Sequence, residues 1–180
     1  MYLKTIFQLA KYLFLFSVMG ASYMMLEILW RGYSHFSMFL LAGTCGVLIG
    51  TLDTLLPPET SIWLQMSIGT GIILTGEFIT GCVLNLWLGL DIWDYSDIPF
   101  NILGQICLPF AAAWFFLSMI VIILDDYLRC WFFGERKPHY YWGLHMPFRP
   151  AALSTPEEIP YSTKDASTGA FFYMLRQKKG

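Results

Sequence analysis

Two glutamates stand inside long apolar runs, Glu27 in EILWRG and Glu77 in GEFITGC. An ionised side chain near the centre of a bilayer costs ~2.5 kcal/mol or more, so such a residue is expected to face protein, a cavity or water rather than lipid. Arg31 follows Glu27 by four positions, one helical turn on, in the order that suits an ion pair. Glu77 has no basic neighbour in sequence. At spacings of four from it stand Gly69, Ile73, Gly81 and Asn85. Small residues let a second helix approach closely, so this face is expected to turn Glu77 into a helix bundle. There it either shares Arg31 with Glu27 or carries a proton in the dry interior.

A third group lies in LDIWDYSDIPFNILGQICLPF, residues 90–110. Asp91, Asp94 and Asp97 alternate with Trp93 and Tyr95, and no basic residue is near. Trp93 and Tyr95 read as anchors at a membrane–water interface. Asp94 is placed to bond the backbone at Ser96, and Asp97 to cap the next helix. Asn101 and Gln105 then fall one turn apart on that helix, with Pro109 expected to kink it. Glu27, Arg31, Glu77, Asn85, Trp93, Asp94, Tyr95, Asn101 and Gln105 together read as an outward-facing polar pocket with the 91–97 loop as its rim. No catalytic residue is assigned. Gly43, Gly46, Gly50 and Asp53 share one helical stripe, which reads as close helix packing or as a polar path ending at Asp53.

The elements that must position these residues are transmembrane helices. The chain has 180 residues, 56% hydrophobic and 13% charged, against roughly 25% charged in an average soluble domain. Four segments, about 12–30, 36–56, 61–90 and 100–124, are long enough to cross ~30 Å of hydrocarbon. The runs are continuous rather than alternating, so helices are expected and strands are not. The expected fold is an all-α integral membrane protein of four spans. A weak similarity between the surroundings of Glu27 and Glu77 suggests two repeated helical hairpins. Residues 1–137 would form the transmembrane domain and 138–180 a loosely ordered, Pro/Ser/Thr-rich cytoplasmic tail. Tyr140, Tyr141, Trp142 and Phe148 are expected on the membrane surface, a short helix could start at 154–158, and FFYMLRQKKG ends the chain as a basic-aromatic segment.

Lys and Arg set the orientation. Lys4 and Lys11 precede the first span and eight basic residues follow the fourth, whereas only Arg31 lies between spans. Both termini are expected in the cytoplasm. Lys11 splits the first apolar run, which argues against a cleaved signal peptide. Cys45, Cys82, Cys107 and Cys130 stand singly and the three histidines are scattered, so neither a disulfide framework nor a metal site is expected. No cofactor is expected. No P-loop, GxSxG or HExxH motif is present, and no basic stripe points to nucleic acid.

EILWRGYSHFSMFLLAG, GEFITGCVLN, WDYSDIPFNILGQICLPFAAAWFFLS and LDDYLR together resemble the bacterial CmpB-like family, Putative ABC-transporter type IV, over residues 12–137. The resemblance implies a polytopic permease. It carries over no catalytic residue, only the motif positions Glu27, Arg31, Glu77, Trp93, Asp94, Tyr95 and Gln105. Four spans make a thin wall around a pathway, so a homo-oligomer or a partner subunit is expected beside the lipid bilayer, and an ATP-driven system needs a separate ATPase. Two other readings stay open. One is a membrane-embedded enzyme acting on a lipid or isoprenoid-like substrate, with Glu27 and Glu77 as acid–base groups. The other is a scaffold or sensor working through its tail.

Overall fold

The computed structural model describes residues 2–143. The expectations for Phe148, for 154–158 and for the basic-aromatic end lie outside the described residues. Helix α1 runs over Tyr2–Arg31, α2 over Phe36–Gly50, α3 over Leu52–Leu55, α4 over Ile62–Gly81 and α5 over Leu108–Phe133. Among the described residues, four segments are long and apolar enough to cross a membrane: Tyr2–Arg31, Phe36–Leu55, Ile62–Trp87 and Leu108–Phe133. The protein is thus an all-α, four-span membrane protein.

α1 starts ten residues before the apolar run does. Nothing from Tyr2 to Met19 breaks a helix, and Lys11 is buried and paired with Glu135, just past α5, rather than flanking the span. Gly32 ends α1 with φ +83°, its N–H donating to the Ile28 carbonyl at 2.8 Å, a left-handed helix stop that glycine adopts without steric cost. His35 caps α2 by accepting from the Ser37 N–H at 3.2 Å. α1 and α2 cross closely because Gly20, Gly43 and Gly46 leave no side chain between them: a Cβ at Gly43 would lie 2.8 Å from Phe16, and one at Gly20 2.6 Å from the Phe39 carbonyl. Of the two readings of the glycine stripe, packing is the one realised. Asp53 is exposed.

The third and fourth spans depart from expectation. α4 does not continue as an α-helix to Leu90. It loosens into a π-helical turn over Cys82–Trp87 and stops before Gly89, which has φ +63°. The fourth helix begins at Leu108, not at Phe100. Residues 101–107 form a small antiparallel hairpin instead, with Asn101 opposite Cys107 and Ile102 opposite Ile106. Its turn has positive φ at Leu103 (52°) and Gly104 (67°), and the Gln105 N–H donates to the Ile102 carbonyl at 3.0 Å. Positive φ at both central residues is the primed turn that suits paired strands. Pro109 therefore lies in the first turn of α5, where its missing N–H costs nothing, and it does not kink the helix. Asp97 caps no helix, since Cys107 holds the N-cap position. α5 runs past Asp125 and Asp126 to Gly134 (φ +66°), so these acids lie within the span rather than at its end.

Three apolar clusters hold the bundle. Ile49, Leu52, Ile62, Met66 and Ile122 pack at the end that carries the chain's N-terminus. Leu15, Met19 and Leu128 join α1 to α5. Met38, Ile92 and Trp93 fasten the 88–107 excursion over the opposite end. Leu13, Leu40, Phe116 and Ile120 remain exposed on helix surfaces, as lipid-facing residues must. After α5 the chain returns to α4. The Ile62 N–H donates to the Tyr141 carbonyl at 2.9 Å, Trp63 Nε1 to the Trp142 carbonyl at 3.1 Å, and the Tyr140 hydroxyl to Asp126 at 2.9 Å.

Candidate functional site

α4 presents Glu77 one turn before Gly81, and the glycine decides the surroundings. A side chain at 81 would collide with Gln105 and meet Trp93 at 3.0 Å. Its absence lets the excursion fold down over Glu77. The carboxylate is 3% exposed and each oxygen has one donor. The Tyr95 hydroxyl reaches Oε1 at 3.1 Å, and Trp114 Nε1, from α5, reaches Oε2 at 2.8 Å. Tyr95 stacks on Phe110 with centroids 4.7 Å apart, and Trp114 lies 6.0 Å from Tyr23 of α1. Burial, and then the charge of Glu77, push the Tyr95 phenol above its ordinary pKa, which keeps it a donor at neutral pH.

Glu77 does not share Arg31. The Arg31 guanidinium is used elsewhere: Nη2 donates to Glu27 at 2.5 Å and Nη1 to the Ile92 carbonyl at 3.0 Å. Ser34 supplies a hydroxyl to the other Glu27 oxygen. The i,i+4 pair thus forms as the spacing predicts and also ties α1 to the excursion. Among the described residues, no basic side chain forms an ion pair with Glu77.

The amides have structural work. Asn85 Nδ2 donates to the Trp93 carbonyl at 2.9 Å and to Gln105 Oε1 at 2.8 Å, while its Oδ1 accepts from the Ile92 N–H at 2.8 Å. Trp93 Nε1 donates to the Gln105 carbonyl at 3.0 Å, and Trp93 is 8% exposed. Neither Trp93 nor Tyr95 is an interfacial anchor, because both rings are drawn inward to satisfy their polar atoms. Asn101 clamps the hairpin, donating to the Ile98 and Ser96 carbonyls and accepting from the Gly104 N–H. Asp94 braces its turn as expected. Its Oδ1 accepts from the Ser96 hydroxyl at 2.6 Å and the Ser96 N–H at 2.8 Å, and these bonds hold its carboxyl below the usual range.

Two adjoining cavities follow from this arrangement. One, of about 360 Å³, is lined by Glu27, Arg31, Trp93 and Tyr95 with Tyr23, Trp30 and Phe110. The other, of about 150 Å³, has Glu77 in its wall and is otherwise almost wholly apolar, with Met19, Tyr23, Cys45, Ile73 and Trp114 around it. They share Tyr23, Leu26, Met38, Trp114 and Leu117. Five of the nine expected residues, Glu27, Arg31, Glu77, Trp93 and Tyr95, are thus cavity-lining. Asn85 and Gln105 bind the wall from behind, and Asp94 and Asn101 hold the loop. In place of the one polar pocket expected, a larger cavity holds the Glu27–Arg31 pair and a smaller, almost wholly apolar one holds Glu77. Sequence reading missed Tyr23 and Trp114. Tyr23 is detectable as the residue four before Glu27. Trp114 is detectable as an indole N–H, which needs an acceptor, inside an otherwise chargeless stretch.

A second polar cluster sits at the opposite end of the bundle. Asp125, fully buried, pairs with Arg129 one turn on, and Lys11 of α1 pairs with Glu135. Gly50 packs on the Asp125 carboxylate so tightly that a Cβ there would overlap it. Among the described residues no three His, Cys, Asp or Glu side chains are grouped to hold a metal ion.

Four apolar spans, a buried intramembrane acid and a cavity beside it define a multi-pass membrane protein of permease-like construction. The chain belongs to the Putative ABC-transporter type IV family, whose model matches residues 11–132. No curated protein and no solved structure matches it.

Proposed function

We propose that this chain is the membrane-embedded, permease-like component of a transport system and that the cavity beside Glu77 is its solute site. Both termini face the cytoplasm in this reading, residues 138–180 form a cytoplasmic tail, and a separate ATPase supplies the energy, since the chain carries no P-loop. One observation carries the proposal. Glu77 is a buried acid inside a span, held by two neutral donors and, among the described residues, by no cation. A charged group in that position is costly to keep, and a structural role would be served better by a salt bridge such as Glu27–Arg31. No observation favours the enzyme reading, because Glu27 already has both oxygens occupied by Arg31 and Ser34.

The test is affinity purification from cross-linked membranes, followed by ATP-dependent uptake profiling in inverted vesicles. Wild-type chain is expected to bring down an ATPase, and vesicles with wild type to accumulate a solute that vesicles with Glu77→Gln do not, at equal insertion. Absence of an ATPase together with identical profiles would refute it.

A further inference from the structure

The walls around Glu77 say what kind of molecule the cavity takes. We infer that it binds an organic monocation with an apolar body, an aryl- or alkylammonium, which enters from the bilayer between α1 and α5. This rests on the solute-site reading above and names its substrate class.

Three independent features point to that class. The first is charge. Glu77 has no ion-pair partner among the described residues, whereas Arg31 is neutralised by Glu27 at 2.5 Å. Of the Glu and Arg side chains facing either cavity, Glu77 alone is left without an opposite charge, and a bound cation would favour its ionised form. The second is the aromatic pair. Tyr23 and Trp114 border both cavities, with Trp114 bonded to Glu77 itself. Aromatic faces beside a carboxylate attract organic cations through the ring quadrupole, and they offer an anion nothing. The third is size and polarity. An apolar cavity of about 150 Å³ is of the order that accepts a benzene ring, so it suits the hydrocarbon part of the ligand and not a hydrated ion.

The route follows from where α1 and α5 touch. Phe7 and Phe14 meet Phe133, Phe14 meets Phe132, and Lys11 meets Glu135, all at the end where the chain begins. Further along the seam, Leu26 of α1 and Ile120 of α5 both line the Glu77 cavity and are still 50% and 56% exposed. A residue that lines a cavity and also faces outward marks an opening. This opening lies within the spans, so it faces hydrocarbon, where an apolar ligand concentrates.

The experiment uses the purified full chain in nanodiscs and radiolabelled benzyltrimethylammonium, with empty nanodiscs as background. Saturable binding is expected. Neopentylbenzene, the same shape without charge, and tetramethylammonium, the same charge without the ring, should each compete at least about tenfold less well, a difference of ~1.4 kcal/mol. Glu77→Gln should weaken binding by a similar factor with unchanged helical circular dichroism and gel-filtration profile, while Glu77→Asp retains most of it. Ile120→Trp, which narrows the seam, should slow association several-fold. Equal binding by Glu77→Gln, or tetramethylammonium competing as well as the aryl cation, would overturn the ligand class. Unchanged association in Ile120→Trp would overturn the lateral route. A Leu26→Cys cross-link between two copies, with no ligand bound, would show that a second copy fills the seam instead and would also overturn the proposal. Binding needs no ATPase, so the two readings fail separately. Glu77-dependent uptake of a hydrophilic solute without aryl-cation binding leaves the transport reading and removes this one. Binding without any ATPase or uptake does the reverse.

Discussion

Glu27 and Glu77 show how differently two intramembrane acids are settled. Glu27 is neutralised locally, four residues from its partner, and that pair is legible because helical geometry alone brings i and i+4 together. Glu77 takes its donors from 18 and 37 residues away, and no local pattern encodes them. Its burial is legible, from the small residues on its face, but its partners are not. The donors should be energetically coupled to the acid. Tyr95→Phe removes one hydrogen bond to a charged group, which is worth about 1.5–3 kcal/mol. In a Glu77→Gln background the same change should cost only about 1 kcal/mol, as for a neutral bond. Reversible unfolding of the four variants in mixed micelles measures this. Equal costs in both backgrounds would mean that the hydroxyl is not coupled to the charge of Glu77, and no cost in either would mean that Tyr95 acts through its stacking on Phe110 alone.

At the level of elements, the end of α4 and the start of α5 escape the sequence because hydrophobicity runs on through both boundaries. Ile98, Phe100, Ile102 and Leu103 continue the apolar run of α5 backward, so a hydropathy window sees no break at Leu108. The usable signals are chemical: Asn101 and Gly104 make a turn, and Pro109 belongs in a first helical turn. The π-helical turn at Cys82–Trp87 leaves no trace in composition, because its cause is the tertiary bonding of Asn85 to residues 92, 93 and 105. The glycine stripe is legible and its use is testable by contrast. Gly50→Ala would drive a methyl into the buried Asp125 carboxylate, and overpacking of this kind costs typically about 1–3 kcal/mol. At Gly71, inside α4, an added Cβ would meet nothing within 4 Å, so Gly71→Ala should instead add roughly 0.5–1 kcal/mol through helix propensity. Thermal unfolding midpoints should therefore move in opposite directions. A drop in both would show that the lipid-exposed face at Gly71 is covered by another chain.

For the molecule as a whole, the charge distribution sharpens once pairs are counted. Among the described residues Arg31 is the one Lys or Arg at the excursion end; it is neutralised by Glu27, and that end carries Asp91, Asp94 and Asp97 unopposed by any cation in the loop. At the other end Lys11 and Arg129 are drawn into the bundle by Glu135 and Asp125, and Lys4, Arg136 and Lys137 flank the spans on the same side. Because Lys and Arg, not acids, decide which loops stay inside, these three should hold both ends of the helical unit in the cytoplasm. In a cysteine-free background, a cysteine placed at Asp97 should react with a membrane-impermeant maleimide in intact cells, and one placed at Lys4 or Glu59 only after permeabilisation. Replacing Lys4, Arg136 and Lys137 with Gln while adding two lysines at Asp91 and Asp97 should convert part of the population to the opposite pattern, with the labels exchanging sides. Labelling of Lys4→Cys in intact cells with the native charges would instead put the Glu77 cavity on the cytoplasmic half of the bilayer. The transport reading would then need the cation site to face inward in this conformation.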